Sequence, residues 1–337
     1  MKKFLALLQL VRFPNVFAIL ADIFTVAFLM AFLQNVSPES WAAYGLSGLG
    51  AVLLYWAGMI LNDVFDLQED SILRKDRPLP SGRISLAGAR RTGWSFLAAG
   101  VLIAGLPGQF VLPTGGLSPT LFIAPLLAVC ILLYDAKLKN TPLGPFFMGT
   151  CRGLNVLLFL SFWPLAELAG VGSAAGRAAG IPSPILLYPL ALTLFITVGT
   201  LYARGETEDA PEAGVRRPGV GAMLFSVLLS AGALALLIRF PVMMAQHYPG
   251  GISPLFQAEP WRWIMLLVFL MLFLAFRSVV SYFQGPLATR NAVRQALFTV
   301  FLIDAALVTA VCPLGCALVI FALFFCANFI GKWVYST

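Results

Sequence analysis

The stretch Asn62-Asp63-Val64-Phe65-Asp66-Leu67-Gln68-Glu69-Asp70 concentrates oxygen ligands at helical spacing. At about 100° per residue, with Asn62 at zero, Asp66 falls at about 40°, Asp70 at about 80° and Asp63 at about 100°, so an amide and three carboxylates share one face. Like charges this close are unfavourable near a membrane unless a cation neutralises them. Oxygen ligands suit Mg2+, which keeps several waters and is commonly held by one or two carboxylates together with substrate phosphate oxygens. The plain alternative is a solvated acidic helix end. Against it stands the next segment, Arg74-Lys75-Asp76-Arg77-Pro78-Leu79-Pro80-Ser81-Gly82-Arg83, which sets Arg74, Arg77 and Arg83 beside the acidic face. Metal-binding carboxylates next to phosphate-binding cations are what a diphosphate requires.

The elements that must position these residues are membrane helices. Of the 337 residues 60% are apolar and 11% charged, and the mean hydropathy is +0.89. That balance excludes a soluble globular protein, whose surface needs roughly 25% charged residues. Apolar windows of about 20 residues, the length that crosses a bilayer core, predict helices over 13–33, 43–65, 87–106, 119–135, 144–166, 183–203, 219–239, 261–283, 291–311 and 313–334. Turn chemistry separates them, at Ser37-Pro38, Leu106-Pro107-Gly108 and Cys312-Pro313 among others. No soluble domain interrupts the set, so residues 1–337 read as a single all-α transmembrane domain.

When alternate loops are sorted into two sides, nineteen of the 22 Lys and Arg residues fall on one side, and only Arg177, Arg239 and Arg262 on the other. Positively charged loops stay in the cytoplasm, which places the N-terminus and the acidic cluster there. The net charge of +7 therefore reports orientation rather than nucleic-acid binding. The five cysteines read as small buried hydrophobes, with a Cys312 to Cys316 pairing open because their link faces the other compartment. His247, the sole histidine, reads as solvated, which argues against zinc.

Asn62-Asp63-x-x-Asp66-x-x-x-Asp70, followed by Asp76-Arg77-Pro78-Leu79-Pro80-Ser81-Gly82-Arg83-Ile84-Ser85, resembles the first aspartate-rich motif and following loop of the UbiA superfamily of intramembrane prenyltransferases. The resemblance implies a ring of nine helices, against nine or ten suggested by hydropathy. It also implies that Asn62, Asp66 and Asp70 bind Mg2+, which holds the diphosphate of an isoprenyl donor, with Asp63 a further candidate. Tyr134-Asp135-Ala136-Lys137-Leu138-Lys139 resembles the tyrosine and lysine segment of that family, making Tyr134 and Lys139 candidates for steadying the diphosphate; the plain alternative is an interfacial tyrosine with topology-setting lysines. Arg152 and Asn155, spaced i and i+3, either extend the polar lining or, for Arg152, snorkel to the interface.

The second aspartate-rich motif of the family is altered here to Arg204-Gly205-Glu206-Thr207-Glu208-Asp209. Glu206 and Asp209 lie about 60° apart on a helix and Glu208 about 160° from Glu206, so Glu206 and Asp209 are the candidate ligands for a second metal. This altered motif, with Arg12-Phe13-Pro14-Asn15 and Ala21-Asp22-Ile23, is similar to the EboC-like branch, associated with gene clusters for secondary metabolites. Asp22 and Asp304 sit inside apolar windows, where a charge costs roughly 2.5 to 3.5 kcal/mol, so each is expected to be neutral, paired or facing a cavity.

The implied activity is Mg2+-dependent prenyl transfer, within the lipid bilayer, from an isoprenyl diphosphate to an aromatic or other lipophilic acceptor. Two other classes remain open: a non-catalytic isoprenoid-binding or export-associated membrane protein, and a transporter, which would place its charges near broken helices at the midplane.

Overall fold

The structure, a computed structural model, describes residues 2–34, 36–111, 117–163, 184–207, 220–247, 259, 261–284 and 286–335. Among the described residues every regular element is helical. A short helix α1 (Lys2–Leu10) precedes α2 (Val16–Leu33), and α3 (Pro38–Phe65) leads into a stub, α4 (Leu67–Leu73). Then come α5 (Leu86–Gly105), α6 (Pro107–Val111), α7 (Thr120–Leu133), α8 (Gly144–Leu160) and α9 (Leu187–Thr207). The chain continues through α10 (Val220–Ala235), α11 (Phe240–His247), α12 (Trp261–Gln284), α13 (Pro286–Val311) and α14 (Leu314–Tyr335).

Each apolar window holds a helix, and among the described residues 6 helices are long and apolar enough to cross a membrane. Phe110, Phe122, Phe269, Phe276, Phe329 and Trp333 are exposed on the outside. An apolar belt of this extent is unsuited to water and suited to lipid. The protein is an integral, multi-pass membrane protein.

Local chemistry starts and breaks the helices. Ser37 caps α3 by accepting from the Ser40 N–H at 3.2 Å, with Pro38 in the first turn where its missing N–H costs nothing. Ser85 caps α5 in the same way through Gly88. Two expected boundaries shift. Leu106-Pro107-Gly108 does not end its span, because Leu106 stays helical with its N–H on Leu102 O at 3.0 Å, and α6 extends the span to Val111. The window 219–239 instead closes early at Ala235, and a turn over 236–239 leads into α11. The Leu237 carbonyl accepts from the Phe240 N–H at 3.0 Å within the turn and from Trp263 Nε1 at 2.6 Å, so a neighbouring helix adds a bond where the helix breaks.

Small residues set the tightest contacts. A Cβ at Gly50 of α3 would collide with the α5 backbone at Ala104, and one at Gly149 of α8 with the Thr193 carbonyl and Thr197 hydroxyl of α9. Close approach of this kind lets dispersion and interhelical hydrogen bonds hold helices together where lipid removes the hydrophobic drive. Ser47 Oγ donates to Ala104 O at 2.9 Å and Tyr44 Oη to Ile23 O at 2.6 Å. The circuit of helices closes where α13 and α14 pack on α2. Gln9 Nε2 donates to Val334 O at 2.9 Å, bringing α1 and the end of α14 to one end of the bundle. All five cysteines are free thiols, so Cys312 and Cys316 are not bridged; Cys130 and Cys312 are buried, and Cys326 is exposed.

Candidate active site

The acidic helix face survives a change of helix. α3 stops at Phe65, Asp66 adopts φ −84° and ψ 2°, and α4 restarts at Leu67. Asp66 N–H still reaches Asn62 O, and Asp70 N–H still reaches Asp66 O, both at 2.9 Å. Asn62, Asp63 and Asp70 are consequently buried on one side.

The loop after α4 brings cations onto that face. Pro78 and Leu79 are buried, Leu79 packing with Leu10, Ile60 and Ala89. Ser81 Oγ donates to Arg77 O at 2.6 Å, and Gly82 takes the left-handed φ of 71° that a side chain disfavours. Anchored in this way, Arg77 bridges Asp70 Oδ2 at 2.6 Å and Asp63 Oδ1 at 3.3 Å, while Arg74 reaches Asp70 Oδ1 at 3.3 Å. Arg83 is placed elsewhere: exposed, it donates to Gln9 Oε1 at 2.9 Å, Ser81 Oγ at 3.0 Å and the Asp76 carbonyl, fastening α1 to the loop.

From the opposite wall, α7 ends in a π turn over Tyr134–Leu138, with Lys139 N–H on Tyr134 O at 2.9 Å. Such turns recur at functional sites. Half-buried Tyr134 opens it, Lys139 Nζ pairs with Asp66 Oδ2, and buried Asp135 accepts from Asn62 Nδ2 at 3.1 Å through Oδ1. Asp135 Oδ2 is buried without a partner.

Sequence reasoning passed over two members. Arg12, in the left-handed region with φ 46° and ψ 51°, donates to Asn62 Oδ1 at 3.3 Å and Asp63 Oδ1 at 3.2 Å. A strained non-glycine backbone at such a place is a recognised mark of a functional position. Asp135 is the other; it lies within the segment compared with the family's tyrosine and lysine, and its own signal is an acidic residue at the end of an apolar window.

Arg152 and Asn155 join a different cluster, deeper in the bundle. Arg152 Nη2 pairs with Asp22 Oδ1 at 2.8 Å, and Asn155 Nδ2 donates to Asp22 Oδ2 at 3.1 Å. The side chain of Glu206, at the end of α9, and all of Asp209 lie outside the described residues.

The site therefore sets four carboxylates, Asp63, Asp66, Asp70 and Asp135, among four cations, Arg12, Arg74, Arg77 and Lys139. The formal charges of the eight groups balance. Buried charges on this scale persist only when paired. An entering diphosphate competes for the same cations, and the carboxylates it frees then need a counter-ion. The all-oxygen donors, the unpartnered Asp135 oxygen among them, have the chemistry of a hard divalent cation's ligands; among the described residues no three carboxylates are grouped around one ion, so substrate oxygens would have to complete its shell.

A model of the UbiA prenyltransferase family matches residues 23–290. The digeranylgeranylglyceryl phosphate synthase of Methanoculleus marisnigri is 29% identical over 218 residues, spanning 60% of this chain and 67% of that protein. The match to the synthase of the same name from Metallosphaera sedula spans 48% of that protein, so the chain covers from about half to about two thirds of these two relatives. Among solved structures, a digeranylgeranylglyceryl phosphate synthase shares the fold with a TM-score of 0.59 at 20% identity, over 92% of this chain and 99% of that one. A UbiA homologue from Archaeoglobus fulgidus, bound to GPP and Mg2+, superposes with a TM-score of 0.51 at 15% identity, over 88% of this chain and 99% of that one. With its family model spanning most of its length, the chain belongs to the UbiA prenyltransferase family.

Proposed function

We propose that this protein transfers an isoprenyl group from an isoprenyl diphosphate to a lipophilic acceptor, aromatic or otherwise, inside the membrane. The observation that carries the reading is the layer of four carboxylates and four cations at one end of an apolar bundle. Its support from relatives is that two are named for making digeranylgeranylglyceryl phosphate and that a family member is solved with GPP and Mg2+. The excess of Lys and Arg in the loops at this end orients the site and the N-terminus toward the cytoplasm.

Asn62, Asp66 and Asp70, with Asp63 beside them, are the residues that would hold Mg2+, and Glu206 and Asp209 are the candidate ligands of a second metal. When bound, the metal neutralises the charge that grows on the diphosphate as the carbon–oxygen bond breaks. Arg77, Arg74 and Arg12 turn from the carboxylates to phosphate oxygens, where guanidinium pairs are bidentate. Lys139 stabilises the departing diphosphate, and Tyr134 lies in the same turn to orient it. Beneath them the apolar interior excludes water from the electrophilic carbon until the acceptor attacks.

The test is transfer of tritiated geranylgeranyl diphosphate by full-length protein in nanodiscs, with and without excess EDTA. Turnover that depends on Mg2+ is expected, and Glu206→Gln and Asp209→Asn should each weaken Mg2+-dependent donor binding while Glu208→Gln does not. Undiminished transfer in EDTA refutes the metal assignment.

A further inference from the structure

Two rungs join the end of α3 to the end of α7. Asn62 and Asp66 stand four residues apart on one side, and Asp135 and Lys139 four apart on the other. Lys139 Nζ pairs with Asp66 Oδ2, and one turn earlier in both segments Asn62 Nδ2 donates to Asp135 Oδ1 at 3.1 Å. The outer rung is charged, and in the prenyltransferase reading Lys139 leaves it for the diphosphate. The inner rung holds no cation that a phosphate could draw away. Asn62 and Asp135 are both buried, so an amide N–H left there without its acceptor is destabilising.

The inner rung decides which way the Asn62 amide faces. An amide presents an oxygen at one end and two N–H donors at the other, and only the oxygen can meet a cation. Here an acceptor, Asp135, holds the nitrogen end, and a donor, Arg12 Nη2, meets Oδ1 at 3.3 Å. The same Arg12 nitrogen lies 3.2 Å from Asp63 Oδ1, so the two oxygens converge on one positive group. The orientation does not depend on a proton at Asp135, since a carboxyl oxygen accepts in either form. Asp135 Oδ2 lies toward the preceding turn of α3, where a Cβ on Gly58 would stand 3.9 Å from it. Among the described residues no three acidic side chains are grouped as metal ligands, so a correctly turned amide oxygen counts for more.

We propose that Asp135 is a positioning residue, which turns the Asn62 carbonyl toward the metal and is not itself a ligand. The proposal rests on the prenyltransferase reading, in which Asn62 holds metal, and adds to it the residue that makes an amide serve there. Removing a partner that orients a metal ligand commonly weakens metal binding by about 10- to 100-fold.

The experiment uses full-length protein in nanodiscs with the non-transferable analogue geranylgeranyl thiodiphosphate. Mn2+ replaces Mg2+, so that free metal is read by electron paramagnetic resonance. Wild type should bind metal and analogue interdependently. Asp135→Ala should raise the Mn2+ concentration at half-saturation at least about tenfold, with analogue affinity within about threefold of wild type once Mn2+ saturates. Asp135→Asn, whose carbonyl still accepts from Asn62, should stay within about threefold throughout. In the Asn62→Asp background, where both oxygens are equivalent, Asp135→Ala should cost about twofold at most. Should Asp135→Ala not fold, Asp135→Leu, close to aspartate in shape, carries the same expectations. A purely structural bond would lower the melting temperature and leave half-saturation of the folded protein unchanged, and that pattern overturns the proposal. So does a loss of about tenfold in Asp135→Asn, which would make Asp135 a direct ligand. Equal losses from Asp135→Ala in the two backgrounds overturn it as well. Failure of wild type to bind Mn2+ and analogue interdependently would instead overturn the prenyltransferase reading on which the proposal stands.

Discussion

Replacing Arg152 by Leu leaves Asp22 fully buried in a membrane interior with only neutral partners, Asn155 at 3.1 Å and Tyr188 at 3.5 Å. Removing one partner of a buried ion pair typically costs about 3 to 5 kcal/mol, and insertion scales give about 2.5 to 3.5 kcal/mol for an acidic residue at mid-helix. The neutral hydrogen bonds that remain place the expected loss near the lower end, about 3 kcal/mol. Asp22→Leu should cost less, because the Arg152 stem is long enough to carry its charge toward its exposed side and keeps the Ala18 carbonyl as acceptor. The double variant should recover most of the loss, short by about 1 kcal/mol for the bond to Ala18. Reversible unfolding in mixed micelles, run as a double-mutant cycle, measures the coupling, expected at about 2 kcal/mol or more. Additive effects, or an Arg152→Leu cost below about 0.5 kcal/mol, would refute the idea that this pair bears on stability at all.

Gly149→Ala pushes a methyl into the Thr193 carbonyl and Thr197 hydroxyl, so it should destabilise by about 1 to 3 kcal/mol. Gly199→Ala on α9 meets nothing within 4 Å and should be neutral or slightly stabilising in the same thermal melt. Lys139→Met removes the cation on Asp66 and should raise the donor KM at least about tenfold, read from initial rates against geranylgeranyl diphosphate. Arg83→Ala, which unties α1 from the loop without touching a carboxylate, should leave the donor KM within about twofold.

The parts of the site that could be read directly are those whose geometry is local. Asn62, Asp63, Asp66 and Asp70 lie within three turns of chain, so helical periodicity alone sets them on one side, even though the helix restarts at Leu67. Arg74 and Arg77 follow closely enough for the loop to fold back on that face, whereas Arg83 lies beyond the Gly82 turn and is carried outward. Arg12 and Asp135 arrive from 51 and 73 residues away, and no periodicity connects residues on different helices. Asp22 and Asp304 were expected to be paired or shielded because an isolated charge is costly in lipid. That cost demands a partner without naming it, and the naming came from how α8, α9 and α13 meet α2. The early end of α10 was hidden for a similar reason, since the turn that follows it is fastened by Trp263 of α12.

Every step of the proposed transfer depends on the layer around Asp66 binding an isoprenyl diphosphate together with Mg2+. Binding of a non-transferable analogue, geranylgeranyl thiodiphosphate, to full-length protein in nanodiscs tests it without any acceptor. Across a Mg2+ titration, affinity should rise with the metal in wild type, and Asp66→Asn should lose at least about tenfold at saturating Mg2+. Equal affinity of the two proteins, independent of Mg2+, would contradict the account.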